Sequence, residues 1–145
     1  QDESAAVWWY RQAAEQGLPE AQYTLGRMYA EGRGVAQDDV EAVTWYREAA
    51  DRGVATAQLA LGGMYFAGQG GVAEDAAEGA RWWRLAAEQG YLPAQTGLAG
   101  RYFDGRGIPQ DEAEAVRWYR LAAEQGDAEV LRWLHQWEAA HPREP

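Results

Sequence analysis

The residues of this chain that could do chemistry are few. Its single serine is Ser4, followed by Ala5, Ala6 and Val7. A serine nucleophile needs a base beside it, and the acyl-transfer motif Ser-x-x-Lys needs a lysine. The chain has no Lys: all 13 of its basic residues are Arg. Its two histidines, His135 and His141, are six residues apart and do not share a helical face, so they do not read as a metal pair. Cys is absent, which removes thiol catalysis, Cys-ligated zinc and disulfides. Gly32-Arg33-Gly34 and Gly105-Arg106-Gly107 look superficially like phosphate cradles. A phosphate site, however, asks for Gly-x-Gly-x-x-Gly after a strand, or for a P-loop lysine. Carboxylates are many, but the recurring ones stand where helix caps are expected. No catalytic residue, metal ligand or cofactor is expected.

The eight Trp could stack on sugars. Four of them, Trp9, Trp45, Trp82 and Trp118, occupy one recurring motif and are expected to pack in the core. Trp83 replaces the neighbouring Tyr of that motif. Trp8, Trp133 and Trp137 remain, at the two ends of the chain. The Arg after each aromatic pair (Arg11, Arg47, Arg84, Arg120) is expected to cover an aromatic face with its stem and to pair its head with a nearby carboxylate.

The elements that position these residues follow from the period. Trp45-Tyr46-Arg47-Glu48-Ala49-Ala50-Asp51-Arg52-Gly53 recurs in variants at Trp9–Gly17, Trp82–Gly90 and Trp118–Gly126, with the Trp residues 36, 37 and 36 positions apart. Such a period marks one supersecondary unit stacked on copies of itself. Each unit reads as two helices. Helix A carries Ala21, Leu25, Met28 and Tyr29 on one stripe, with copies at Ala57–Tyr65 and Ala94–Tyr102. Glycines end it at Gly32, Gly68 and Gly105. Helix B starts at the caps Asp38, Asp75 and Asp111, and Glu41, Glu78 and Glu114 read as the return arm of a capping box. Val35, Val72 and Ile108 precede the caps and are expected to pack under the loop. Ala42, Ala49 and Ala50 let neighbouring helices approach closely. The one extra residue of the second unit falls in Gly68-Gln69-Gly70-Gly71, a loop where insertion costs little.

With 145 residues, a net charge of −10 and a pI near 4.6, the chain suits a few stacked repeats and repels nucleic acid and acidic membrane surfaces. A basic protein or peptide would be attracted; the acidity also serves plainly to keep an array soluble. No apolar run is long enough to span a membrane. The chain starts at Gln1 with no Met or signal-like segment, which reads as a mature form or an excised piece.

Gly32 to Asp38 followed by Ala42 to Gly53 resembles the Sel1-like repeat, a relative of the tetratricopeptide repeat. The resemblance covers about residues 5–126. It implies an all-α, right-handed α/α superhelical solenoid, and an adaptor or scaffold role in bacterial signalling, secretion, envelope or host-interaction systems. The compartment it implies is periplasm, envelope or cytoplasm. Some members of the family have been linked to β-lactam binding or hydrolysis, which the missing Ser-x-x-Lys argues against here. On this reading residues 1–140 form one solenoid: a leading half-repeat over 1–17, repeats over about 18–53, 54–90 and 91–126, and a capping helix over 127–140 in which Arg132-Trp133 replaces the Leu-Gly pair. Residues 141–145 are expected to be disordered.

The resemblance also places the A helices on the concave surface. The A-helix positions off the packing stripe are Tyr23, Leu59 and Thr96, then Arg27, Gly63 and Gly100, then Ala30, Phe66 and Phe103, then Glu31, Ala67 and Asp104. Tyr23, Arg27, Glu31, Leu59, Phe66, Thr96, Phe103 and Asp104 are the candidate groove residues. Phe66 and Phe103, at equivalent places in adjacent repeats, either form one apolar anchor patch or pack between repeats. Trp8 stands where later copies hold Thr44, Arg81 and Arg117, and marks a surface covered by a second copy or by more of a longer chain, unless it is an ordinary exposed aromatic. The expected function is a non-catalytic interaction module offering an acidic-rimmed groove to a peptide or partner domain. The rivals are an envelope module binding a glycan or cell-wall fragment, and a β-lactam-processing hydrolase.

Overall fold

The computed structural model describes residues 2–142. Among them stand eight helices of equal length and no strand: α1 (Glu3–Glu15), α2 (Pro19–Glu31), α3 (Asp39–Asp51), α4 (Ala55–Ala67), α5 (Ala76–Glu88), α6 (Leu92–Asp104), α7 (Glu112–Glu124) and α8 (Ala128–Ala140). Each runs about 20 Å at 1.5 Å per residue. Helices pack on their neighbours in sequence, most extensively in the pairs α2–α3, α4–α5 and α6–α7, as in an α/α solenoid. The expected disorder of 141–145 falls largely outside the described residues.

Local chemistry sets the ends of each helix. Asp38, Asp75 and Asp111 cap α3, α5 and α7 by accepting from backbone N–H groups one turn in. The capping box is not completed. The backbone N–H of each capping Asp donates instead to the helix A before it, at Tyr29, Tyr65 or Tyr102 carbonyl oxygen, 2.9–3.0 Å away. The glutamates at the third position are thereby free for other partners. The A helices have no side-chain cap; Pro19 and Pro93 pre-set the first turn of two of them.

The core follows the expected stripe. Leu25, Leu61 and Leu98 are fully buried, and Ala42, Ala49 and Ala50 lie at close helix contacts. Three apolar clusters run in series along the axis, from α1 to Trp82 at the middle of α5, from α5 to α7, and over α7 and α8. In α8 the conserved-in-register Leu is Leu134, which is buried, so the Leu of the Leu-Gly pair is kept and His135 takes the place of its Gly. Arg132-Trp133 is one step out of that register.

Candidate functional site

Two repeated polar contacts hold the frame. The arginine after each aromatic pair donates to the tyrosine hydroxyl eighteen positions on: Arg11 to Tyr29, Arg47 to Tyr65 at 2.8 Å, Arg84 to Tyr102. The guanidinium also lies over the same ring, 5.6–5.7 Å from its centroid. The expected carboxylate stands beside three of the four arginines as well: Arg84 donates to Glu114 at 3.1 Å, Arg11 lies 3.9 Å from Glu15, and at the cap Glu138 takes the tyrosine's register and accepts from Arg120 at 3.1 Å.

Buried glutamines supply the second contact. Gln22, Gln58 and Gln95 donate to the carbonyls of Ala14, Ala50 and Ala87 at 3.1–3.2 Å. Gln58 Oε1 then accepts from Gln89 at 2.9 Å, and Gln95 Oε1 from Gln125 at 2.8 Å. Arg52 holds the matching position for Gln22, whose Oε1 is buried without a partner. A buried acceptor left unpaired costs about 1–3 kcal/mol. Arg52→Gln is therefore expected to stabilise the chain by about 1 kcal/mol. Its melting temperature should rise, and an unchanged value would show that the ladder does not extend to Gln22.

Of the glutamates released from capping, Glu114 joins neighbouring repeats and Glu78 pairs within its own helix. Glu114 Oε1 accepts from Arg84 at 3.1 Å, from Arg117 at 2.9 Å and from the Trp118 indole at 3.0 Å. Glu78 pairs with Arg81 at 2.7 Å, and that hydrogen bond, against some desolvation, holds its carboxyl below the usual glutamate range. A carboxylate depressed in the folded state stabilises above its unfolded pKa and loses that contribution as the pH falls. Glu78→Gln should therefore lower the melting temperature slightly at neutral pH, with the difference closing below roughly pH 4.3, the ordinary glutamate value. Because this pair is exposed, the effect is about 0.2–1 kcal/mol.

The Gly-x-Gly loops are filled. A Cβ on Gly34 would lie 2.3 Å from the Glu3 carbonyl oxygen; on Gly70, 2.4 Å from Val43 Cγ2; on Gly107, 2.7 Å from Ala76 Cβ. Each loop backbone rests on the preceding helix B, and the space a phosphate would need is taken. Ser4 Oγ donates to its own cap, Asp2, at 2.6 Å, and that bond lowers the Asp2 pKa. His135 is exposed; His141 Nδ1 lies 2.9 Å from the Trp137 carbonyl oxygen. Among the described residues no cluster of three or more His, Asp or Glu is placed to hold a metal.

The A-helix candidates fall in three places. Tyr23, half-buried, leans on Tyr46 at 5.9 Å; burial, then the Tyr23 phenol, push the Tyr46 phenol up. Arg27 and Glu31 pair at 3.0 Å, and Arg33 approaches Glu31 at 3.6 Å. Leu59 is half-buried and its carbonyl accepts from Trp83 Nε1 at 2.9 Å. Phe66 meets Trp83 edge-on at 4.7 Å, and the Arg101 guanidinium lies over the Phe66 ring, 3.4 Å from its centroid; desolvation, then Arg106, lowers the Arg101 pKa. Thr96 donates to the Leu92 carbonyl at 3.1 Å. Phe103 meets Trp133 edge-on at 5.2 Å, and Asp104 pairs with Arg106 at 2.9 Å. Phe66 and Phe103 thus stand apart, each half-buried against the indole of a following helix. Glu31 and Asp104 are neutralised by the chain's own arginines.

At the α1 end, Trp8 is half exposed and sits edge-on to Trp9 at 4.6 Å. Trp9 was expected in the core and is 67% exposed, because no helix packs ahead of α1 among the described residues. Trp9 and Tyr10, rather than Trp8, line a groove of about 660 Å³ between α1 and α2.

A family model described as the Sel1 repeat matches residues 1–18, 19–54, 55–91 and 92–127. The chain belongs to the Sel1 repeat family. Two solved Sel1 repeat structures are similar over nearly the whole chain. One is c5321, a protective antigen of uropathogenic Escherichia coli strains displaying an SLR fold: 44% identical over 96% of this chain and 30% of that one, with a TM-score of 0.87. The other is a Sel1 repeat protein from Oxalobacter formigenes: 35% identical over 97% of this chain and 57% of that one, also at 0.87. This chain therefore spans about a third and somewhat over half of those two. Cysteine rich protein B of Helicobacter pylori, 19% identical over 92% of this chain and 95% of that one at a TM-score of 0.70, shares the fold. No curated protein matches the chain. Sel1 repeat proteins are generally non-catalytic protein-interaction scaffolds. No helix among the described residues is long and apolar enough to cross a membrane.

Sequence reasoning missed the Arg–Tyr and Gln–Gln contacts of this Sel1 frame. The signal was there: an arginine and a tyrosine eighteen apart at Arg11/Tyr29, Arg47/Tyr65 and Arg84/Tyr102, and the recurring pairs Ala21-Gln22, Ala57-Gln58 and Ala94-Gln95.

Proposed function

We propose that the chain is a non-catalytic scaffold whose A-helix face receives a peptide or partner domain of net positive charge. The carrying observation is the contrast between frame and face. The Arg–Tyr and Gln–carbonyl contacts repeat from unit to unit, while Tyr23, Leu59 and Thr96 differ at one register and Glu31, Ala67 and Asp104 at another. A constant frame with a varied face is the arrangement of a preformed recognition surface, which loses little entropy on binding. Half-buried Phe66 and Phe103 supply two separate apolar contacts. The charge preference comes from the net charge of −10 acting at long range, since Glu31 and Asp104 already have partners.

The test is fluorescence anisotropy with a labelled peptide library of alternating Arg and Leu against one of Glu and Leu. Basic peptides are expected to bind more tightly, with affinity falling as salt rises. Phe66→Ala combined with Phe103→Ala should weaken binding by tenfold or more, as for apolar hot spots of about 1.4 kcal/mol or above. Equal binding of both libraries, or an unaffected double variant, rejects the proposal.

A further inference from the structure

Arg101 is out of place in two ways. It lies in α6 at the position that Met28 holds in α2 and Met64 in α4. Met28 is buried and Met64 packs against the same core, so the frame needs no charge there. The Arg101 side chain crosses instead to the preceding repeat. Its guanidinium lies over the Phe66 ring of α4, 3.4 Å from the centroid, and 5.2 Å from that of Trp83 in α5. The second oddity is its pairing. Nη1 donates to the Arg106 carbonyl oxygen at 3.1 Å, the one hydrogen bond of this guanidinium among the described residues. Asp104, on the last turn of the same helix, pairs with Arg106 at 2.9 Å. No carboxylate among the described residues pairs with Arg101, whereas Arg27, Arg81, Arg84 and Arg117 each have one. Burial and the Arg106 charge hold the Arg101 pKa down, while Glu31 and Glu78 hold those of Arg27 and Arg81 up.

We propose that Arg101 is a carboxylate-binding residue of the A-helix face, and that the partner segment brings an aspartate or glutamate side chain to it. On the reading above, in which that face receives a basic segment, Arg101 adds one acid at a fixed place in the segment. Three observations select a carboxylate. First, the Nε and Nη2 edge of the guanidinium has no partner among the described residues, and that edge is the planar fork that takes a carboxylate by two parallel N–H bonds. Second, the fork is held in position. Phe66 and Trp83 lie against it, and Trp83 is itself fixed by its bond to the Leu59 carbonyl, so little freedom is lost on binding. Arg101 is half-buried, not enclosed. Third, the local charge is positive, since Arg106 stands close by and Asp104 is already neutralised. In a chain of net charge −10, a carboxylate is repelled at long range and accepted at this point, which is a means of specificity. An internal side chain fits better than a chain end. Phe66 packs where α4 meets α5, and Phe103 packs against Trp133 of α8. Arg101 of α6 stands between these two contacts, so a segment touching both phenylalanines passes the guanidinium in mid-course.

The test has two arms. In the first, acetate replaces chloride at constant ionic strength, and NMR follows the Arg101 Nε–H and Trp83 Nε1–H signals of the full chain. The parent is expected to show saturable shifts of both, and Arg101→Met to lose the Trp83 shift. Methionine is the residue of two other repeats at this place, so the variant should keep its circular dichroism spectrum and fold. Arg132→Met removes the same charge from an exposed position of α8 and should leave both shifts unchanged. A parent without saturable shifts, or a Trp83 shift that survives in Arg101→Met, overturns the proposal whatever the peptides do. The second arm is fluorescence anisotropy with two labelled Arg-Leu peptides, acetylated and amidated, that differ only in a central Glu or Gln. The parent should bind the Glu peptide about fivefold or more tightly, and Arg101→Met should bind the two alike. A general charge effect runs the other way, because the acidic chain repels the added glutamate. Equal binding of the two by the parent overturns the proposal as well. If neither peptide binds while acetate gives its saturable response, the A-helix reading is rejected and the carboxylate site at Arg101 is supported without it.

Discussion

Gly62→Ala is expected to destabilise the chain by about 3 kcal/mol, while Gly63→Ala, one residue on, stabilises it by roughly 0.5–1 kcal/mol. Both glycines lie inside α4, where Ala has the better helix propensity. Their surroundings are opposite. A Cβ on Gly62 would sit 2.4 Å from Trp83 Cδ1 and 2.8 Å from the Gly79 carbonyl oxygen; on Gly63 it meets nothing within 4 Å. The Gly62 clash cannot be relieved by a side-chain swing alone. Gly79 O is backbone, and a Cβ on Gly79 would in turn lie 2.9 Å from Gly62 O, so α4 and α5 cross main chain to main chain. Trp83 is pinned as well, by its hydrogen bond to the Leu59 carbonyl and by Phe66 on its edge. The other crossings have Gly26 over Ala42 and Ala99 with Ala115, and at both the following aromatic is Tyr instead of Trp. The larger indole at position 83 coincides with the pair that has no Cβ at all. Urea denaturation of the two variants checks this. A cost below about 1 kcal/mol for Gly62→Ala would mean that the crossing opens easily.

What was legible in the sequence was what is local or periodic. The Asp caps, the Gly stops and the Leu25, Leu61, Leu98 stripe depend on residues within a turn or two, and they stand as read. The capping box failed because the Asp N–H had a competitor nine or ten residues back, a tyrosine carbonyl brought there only by the folded hairpin. The carboxylate partners of Arg84 and Arg120 stand as read, while the tyrosine hydroxyls were missed for a related reason. Charge pairing is the default for Arg, and the tyrosine hydroxyl eighteen residues away comes within reach only once a helix A has packed against the helix B before it. Trp9 shows the limit most directly. Its motif is the same as that of Trp118, yet its exposure is set by a neighbouring helix pair and not by any residue near it. The face residues Tyr23, Leu59 and Thr96 stay a proposal because the frame does not constrain them, and sequence patterns inform only where structure constrains.

Trp118→Ala is expected to cost 3–5 kcal/mol, and Trp9→Ala less than about 1 kcal/mol, measured at a concentration that keeps both chains monomeric. Trp118 is the largest fully buried side chain, at 1% exposure, whereas Trp9 is 67% exposed. Removing the Trp118 indole opens a cavity among Ala86, Ala87, Ala94 and Leu98, which are too short to refill it. It also takes away one donor from Glu114, although Arg84 and Arg117 remain on that carboxylate, so no charge is orphaned and the cavity dominates. The consequence should be spatially confined. Stability in a repeat array is approximately a sum of units and nearest-neighbour junctions, and the lost contacts belong to the junction between α5–α6 and α7. Hydrogen exchange in the variant should therefore show α7 and α8 opening first, with α2 to α4 still protected. Their own core contains Leu25, Ala49 and Leu61 and does not include Trp118. A uniform loss of protection along the whole chain would instead mean that the solenoid opens as one cooperative unit. In that case the three apolar clusters behave as a single core, and the glutamine and arginine contacts that run across repeats are what couples them.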